Sequence, residues 1–183
     1  MERTFNYDIM DDIKKRWSPR AFSNKNVPDE EIKALLEAAR YAPSCNNEQP
    51  WRFLIASEEE TLAKMRQTLN PGNREWADQA PVLILVAAAK DFQKTAKENR
   101  WNCFDAGAAW GYFSLEAQRR GLVAHAMGGF NADKAREAFS IADQLEIITI
   151  IALGYYGDPG NLSEYNQGRE KPNTRKDFDE LLL

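Results

Sequence analysis

Three neighbourhoods of the chain carry side chains that could do chemistry. Residues 42–51 read Ala-Pro-Ser-Cys-Asn-Asn-Glu-Gln-Pro-Trp, small polar groups between two prolines. Proline fixes φ, so this run is expected to be a rigid loop. Ser44, Asn46, Asn47 and Gln49 offer uncharged donors and acceptors. Those groups suit either a polar heteroaromatic ring or the loop's own Asx-type turns. Residues 16–20, Arg-Trp-Ser-Pro-Arg, place two guanidinium groups and a hydroxyl on one short stretch, and Arg169, Lys171, Arg175 and Lys176 add basic groups near the C-terminus. A guanidinium fork matches phosphate oxygens and keeps its charge, with solvated surface charge as the alternative. Gly128-Gly129 lets something approach the backbone closely.

Other chemistries find less support. Cys45 and Cys103 make no disulfide framework, and with the single His125 they make a poor zinc site. A Cys45–His125 nucleophile pair lacks any surrounding motif, and His125 between two alanines reads as a structural or pocket residue. No Gly-x-Gly-x-x-Gly follows a strand, and no phosphate loop of the Walker type is present. A formal net charge of −4 argues against nucleic acid as the main partner. The first ten residues lack the apolar core of a signal peptide, and no apolar run has bilayer-spanning length. A reducing, cytoplasmic setting without a membrane partner is the expectation.

The elements that must position these groups can be read from periodicity. A hydrophobic content of 43% and charged content of 28% over 183 residues suit one domain with a real core. Helices are predicted over 9–17, from Pro28 to about 40, over 58–69 from a Ser57/Glu60 capping box, over 104–120 and over 131–139. Strands are predicted at 51–56, 82–88, 123–126 and 145–153, two of them continuous apolar runs buried on both faces. Asn70-Pro71-Gly72-Asn73 reads as a turn, and 90–102 as polar with some helical character. The 104–120 helix is apolar almost all round, which demands a large core or a subunit interface. From Tyr155 onward the chain looks like a tail that needs a surface to lie on. Helices and strands in this order give an α/β or α+β sheet sandwiched by helices.

In this order the pieces resemble the nitroreductase family of FMN-dependent oxidoreductases. The matching patches are Arg16-Trp17-Ser18-Pro19-Arg20 with Phe22, Pro43-Ser44 through Asn47, Gln49, Pro50 and Trp51, Asn73 through Ala80-Pro81, and Gly121-Leu122 through Gly128-Gly129-Phe130, with the basic tail around Arg175 as a looser match. The resemblance implies one FMN-binding domain over 1–183, an α+β sandwich with a central mixed β-sheet flanked by helices. It also implies an intertwined homodimer in which the 155–183 tail packs on the partner subunit.

Carried over residue by residue, the resemblance makes Arg16, the Trp17 backbone and Ser18 ligands of the FMN phosphate and ribityl chain. Arg20 falls beside flavin N1 and O2, where a cation stabilises the charge of the reduced ring. Pro43, Ser44, Cys45, Asn47 and Gln49 would touch the flavin of the other subunit, and Asn73 the pyrimidine edge. Met127, Gly128 and Gly129 would present backbone N–H groups to N5 and O4, and Arg175 with Lys171 would close on the phosphate. NADH or NADPH would be the reductant and a nitroaromatic or quinone the small-molecule acceptor, in a ping-pong scheme without a catalytic side chain. Dehalogenation, enone reduction, flavin breakdown and flavin binding without turnover are the rivals on the same fold. Trp76 stands where some relatives carry a lysine.

Overall fold

In a computed structural model that describes residues 3–183, the strand β2 (Val82–Ala89) lies at the heart of the molecule. Its alternate side chains serve two separate cores. Val82, Ile84, Val86 and Ala88 face one apolar layer, while Leu83, Leu85 and Ala87 face the other. A strand can bury a continuous apolar run only when both faces are covered. The covering layers are α2 (Asp29–Arg40) and α5 (Asn102–Arg119) on one side. On the other lie α3 (Glu59–Thr68), α4 (Pro71–Ala77) and α6 (Ala132–Phe139).

β1 (Trp51–Ala56), β3 (Val123–Met127) and β4 (Leu145–Gly154) complete a four-stranded sheet in the order β1-β2-β4-β3. Every pairing is antiparallel, so the mixed sheet of the sequence reading is corrected among the described residues. The reason is topological. The excursions through α3 and α4 and through α6 each return to the sheet at the end they left, which gives antiparallel neighbours.

The boundaries show where local signals were overruled. The first helix, α1 (Asp11–Lys15), is shorter than expected, because Arg16 is already extended ahead of Pro19. The Ser57/Glu60 capping box does not form; Glu58 is the N-cap of α3 and its side chain caps nothing. Asn70-Pro71-Gly72-Asn73 is a helix start rather than a free turn, with Pro71 in the first turn of α4, where its missing N–H costs nothing. Residues 90–101 hold no helix and fold back through a bridge between Asp91 and Glu98. Asn131 caps α6 as predicted, accepting from the Lys134 N–H, and Gly121 takes the left-handed turn (φ 72°) that ends α5.

The 104–120 prediction resolves into a two-faced helix. Ala106, Ala109, Phe113 and Ala117 are buried beneath α2 and the sheet, while Phe104 (74% exposed), Trp101 and Tyr112 face outward. After β4 the chain folds partly on its own body. Leu162 and Asn166, the latter in the short α7 (Glu164–Gln167), are buried, whereas Phe178, Leu181 and Leu182 are exposed.

A short backbone pairing ties the segment before α2 to this sheet. Ser23 N–H donates to Tyr155 O and Gly157 N–H to Ala21 O, both at 3.0 Å, around a Phe22–Tyr156 bridge. Gly157 is required there because a Cβ would overlap the Phe22 carbonyl and sit 2.7 Å from Ser23 N. Gly157→Ala should therefore destabilise the fold by about 1–3 kcal/mol. Thermal unfolding should show it as a drop of roughly 2–4 °C per kcal/mol; an unchanged midpoint would mean that this pairing is not under steric constraint.

Candidate functional site

Residues 16–21 have no regular secondary structure, so their position is set from outside. Besides the pairing at 21–23, two contacts hold them. The Glu170 carboxylate accepts from the backbone N–H groups of Arg20 (2.9 and 3.0 Å) and Ala21 (2.9 Å). The Pro19 carbonyl lies 2.8 Å from Nδ1 of His125 on β3. Backbone N–H groups pointing together form an anion-binding nest, here filled by the chain's own carboxylate.

With the segment so fixed, a pocket of about 130 Å³ opens between Arg3, Arg16, Trp17, Ser18, Arg20, His125, Lys171, Asn173 and Arg175. The two basic neighbourhoods of the sequence therefore meet in space. Arg3 Nη1 donates to Arg16 O at 2.8 Å, and Arg16 Nη1 lies 3.4 Å from Ser18 Oγ. None of Arg3, Arg16, Arg20, Lys171 and Arg175 forms an ion pair among the described residues. Burial lowers the Arg16 pKa, and the neighbouring Arg3 and Arg175 lower it further. Burial and Arg169 lower that of Arg20, against the opposing pull of Glu170 and Tyr165. Five like charges gathered at one pocket repel one another, Glu170 offsetting only part of this at Arg20, and a ligand of two negative charges would relieve that repulsion.

An aromatic shelf supports this pocket from the sheet side. Trp76, which is buried, stacks on Phe22 (6.1 Å, 12°) and on His125 (4.5 Å, 30°), and the Arg20 guanidinium lies 5.9 Å above its ring. Trp76 is thus a core residue of this chain as well as part of the shelf. Burial pulls the His125 pKa down to about 4, helped by the charges of Arg20, Arg16 and Arg169 and opposed by the hydrogen bond to Pro19.

Asn73, at the start of α4, meets the Gly-Gly segment after β3. Its Nδ2 donates to Gly129 O at 3.0 Å, which the Asn70 N–H also reaches at 3.0 Å. A Cβ on Gly129 would fall 2.6 Å from Asn73 Nδ2, so a side chain there would have to displace this amide. Met127 is buried, and its carbonyl accepts from Thr149 Oγ1 at 2.9 Å. The Gly128 and Gly129 N–H groups donate to no backbone acceptor among the described residues.

The 42–51 loop does not line the arginine pocket. Its backbone is left-handed at three non-glycine positions: Asn46, Asn47 and Gln49 have φ of 54°, 56° and 52°. Left-handed backbone at non-glycine residues has a cost and survives only where contacts over-determine it. Ser44 Oγ accepts from Gln49 N–H at 3.0 Å, and Gln49 Nε2 donates to Asn47 O at 3.2 Å, so part of the loop's polarity satisfies itself. The buried Asp105 of α5 accepts from Cys45 N–H at 3.1 Å. Cys45 and His125 hold different partners and form no nucleophile pair.

Sequence reasoning missed Arg3, Asn173, Glu170 and Asp105. An acid inside an otherwise apolar helix could have pointed to Asp105; nothing local singles out the other three.

Comparison with known proteins places this geometry. The sequence profile of the Nitroreductase family matches residues 13–70 and 63–155. An Archaeoglobus fulgidus protein with the provisional name NADH dehydrogenase/NAD(P)H nitroreductase is 30% identical over 156 residues, 83% of this chain and 87% of that one. A crystal structure described as an oxidoreductase containing FMN superposes with a TM-score of 0.94 at 33% identity, covering 99% of this chain and 93% of the other. A nitroreductase family protein from Clostridium difficile 630 gives 0.75 at 26% identity, covering 97% and 98%.

A pH dependence follows from His125. Its folded pKa lies below the ordinary 6.5, so between about 6.5 and 4 the unfolded chain binds more protons than the folded one. Its contribution is complete above about 6.5 and is lost as pH falls towards 4. Urea unfolding at pH 7 and 4.5 should show a loss on the order of 1–3 kcal/mol from this group, absent from His125→Phe. An equal slope in the variant would assign the effect elsewhere.

Proposed function

The chain belongs to the nitroreductase family, and on that premise we propose that it is an FMN-dependent oxidoreductase reduced by NADH or NADPH, with a small organic molecule as acceptor. What carries the reading is one pocket edged by five cations, none of which forms a protein ion pair among the described residues. Such a donor set fits a phosphate monoester, to which fork-shaped guanidinium groups bind in bidentate fashion.

On this reading Arg16, Ser18, Lys171 and Arg175 hold the phosphate, with the Trp17 backbone beside them. Arg20, seated over Trp76, supplies a fixed positive charge at the N1/O2 edge of the ring. Asn73 keeps Gly129 in place, and Met127, Gly128 and Gly129 offer backbone donors to the N5/O4 edge. The chemistry supplied by bound FMN is two-electron transfer, first from the nicotinamide and then to a nitroaromatic or quinone, in ping-pong order. The protein's part is to bind, orient and tune, and no side chain acts as nucleophile or general base.

The functional unit in this proposal is a homodimer. The outward Trp101, Phe104 and Tyr112 give α5 an apolar face larger than a lone surface helix needs, and Phe178, Leu181 and Leu182 do the same for the end of the tail. Pairing two such faces would bring Pro43, Ser44, Cys45, Asn47 and Gln49 of one protomer to the flavin of its partner. The 155–183 tail would extend the same interface.

Purified protein should bind FMN, and its flavin absorbance should bleach anaerobically with NADH or NADPH. A protein that ignores added FMN would sink the proposal, and one that binds FMN without bleaching would leave only flavin binding. Arg16→Ala should weaken FMN binding by the loss of a charge-assisted bond, about 1.5–3 kcal/mol, read by flavin fluorescence quenching. In sedimentation the chain should run as a dimer that Phe104→Glu dissociates; a wild-type monomer would refute the shared site.

A further inference from the structure

His125 is the single histidine of the chain, and the use of the pocket proposed above gives it no task. Its geometry is nevertheless tightly specified. It lies on the edge strand β3, stacks on Trp76, forms part of the pocket wall and reaches Pro19 O at 2.8 Å. A carbonyl oxygen only accepts, so Nδ1 carries the proton in that contact and the neutral ring leaves Nε2 bare. Nε2 has no protein partner among the described residues.

Apart from Ser18 and Asn173, whose oxygens can also accept, the polar side chains of the wall besides His125 are cations, Trp17 adding only an indole N–H donor. Arg3, Arg16, Arg20, Lys171 and Arg175 can only donate. They suit phosphate oxygens, but they have nothing to offer a hydroxyl proton. We propose that His125 is a ligand-recognition and positioning residue of this pocket: Nδ1–H pins the Pro19 carbonyl and so the Pro19–Arg20 step, while Nε2 accepts a hydrogen bond from a hydroxyl of the bound ligand. The inference rests on the FMN reading, in which the ribityl chain supplies such hydroxyls next to the phosphate. It selects a phosphorylated polyol over phosphate alone.

The charges around the ring keep the acceptor available. Arg16 and Arg20 from the 16–21 segment, Arg169, Lys171 and Arg175 from the tail and Arg3 from the N-terminal stretch surround this region, with the Glu170 carboxylate held by backbone N–H groups. These cations and the ring's burial disfavour a second proton, so the bare nitrogen persists at neutral pH.

Because there is one histidine, long-range ¹H–¹⁵N NMR of ¹⁵N-labelled, tag-free protein reads it directly. At pH 7 the Nδ1–H tautomer is expected both without flavin and with FMN bound. FMN and riboflavin should each shift the Nε2 resonance towards the hydrogen-bonded range, and inorganic phosphate should leave it in place. An Nε2–H tautomer, an Nε2 unmoved by bound FMN, or a shift produced equally by phosphate alone would overturn the inference. A protein that takes up neither flavin overturns the functional reading along with it, whereas one that binds FMN with an unmoved Nε2 overturns this inference alone. In fluorescence titration, His125→Phe, which keeps an aromatic ring against Trp76, should bind FMN about tenfold more weakly. Unchanged affinity in a folded variant would count equally against the role.

Discussion

Residues 16–21 have no ladder or helix of their own to fix them, yet they carry the arginines and the hydroxyl of the site. Their geometry is borrowed from three places far apart in sequence. The segment after β4 pairs with residues 21–23, the tail supplies Glu170, and β3 supplies His125. Each contact uses a backbone group that would otherwise be unpaired in a partly buried stretch, so the anchors satisfy the chain and aim its side chains together. The pocket is in this sense a product of the sheet's edge rather than of the loop.

That edge exists because β2 is covered on both faces. The two apolar layers fix β4 beside β2 and β3 beside β4, which sets where the ends of β3 and β4 emerge. Trp76 transmits the arrangement upward: it belongs to the core through α4, and its ring is also the shelf for His125 and Arg20. On this rigid base the fold can hold several cations at close quarters. Their mutual repulsion is a local cost that an anion bound in the pocket would offset, a common pattern at binding sites.

The α5 helix shows how far pattern reading could go. Its apolar circumference was legible as a demand for burial, but not which side meets the core and which stays outward. Only the packing against α2 and the sheet assigns Ala106, Ala109, Phe113 and Ala117 inward and leaves Phe104 and Tyr112 to solvent. The 42–51 stretch was legible as a loop, yet the left-handed backbone of Asn46, Asn47 and Gln49 was not, since asparagine tolerates but does not dictate that conformation. Asn70-Pro71-Gly72-Asn73 misled because proline serves a turn and a helix start equally well, and the Gly129 carbonyl that receives the Asn70 N–H lies almost sixty residues away.

By itself the sequence determined what depends on nearest neighbours and short periods: the four strands, most of the helices, the cap at Asn131, and the chemical character of the arginine, amide and glycine neighbourhoods. Its motifs also carried the family. Tertiary structure alone decided what depends on distant backbone groups meeting. It turned the sheet antiparallel, recruited Arg3 and Asn173 to the pocket, placed Glu170 under Arg20, and chose which nitrogen of His125 bears the proton. No local pattern encodes those contacts, because each is a single hydrogen bond or charge whose partner is selected only once the layers have closed.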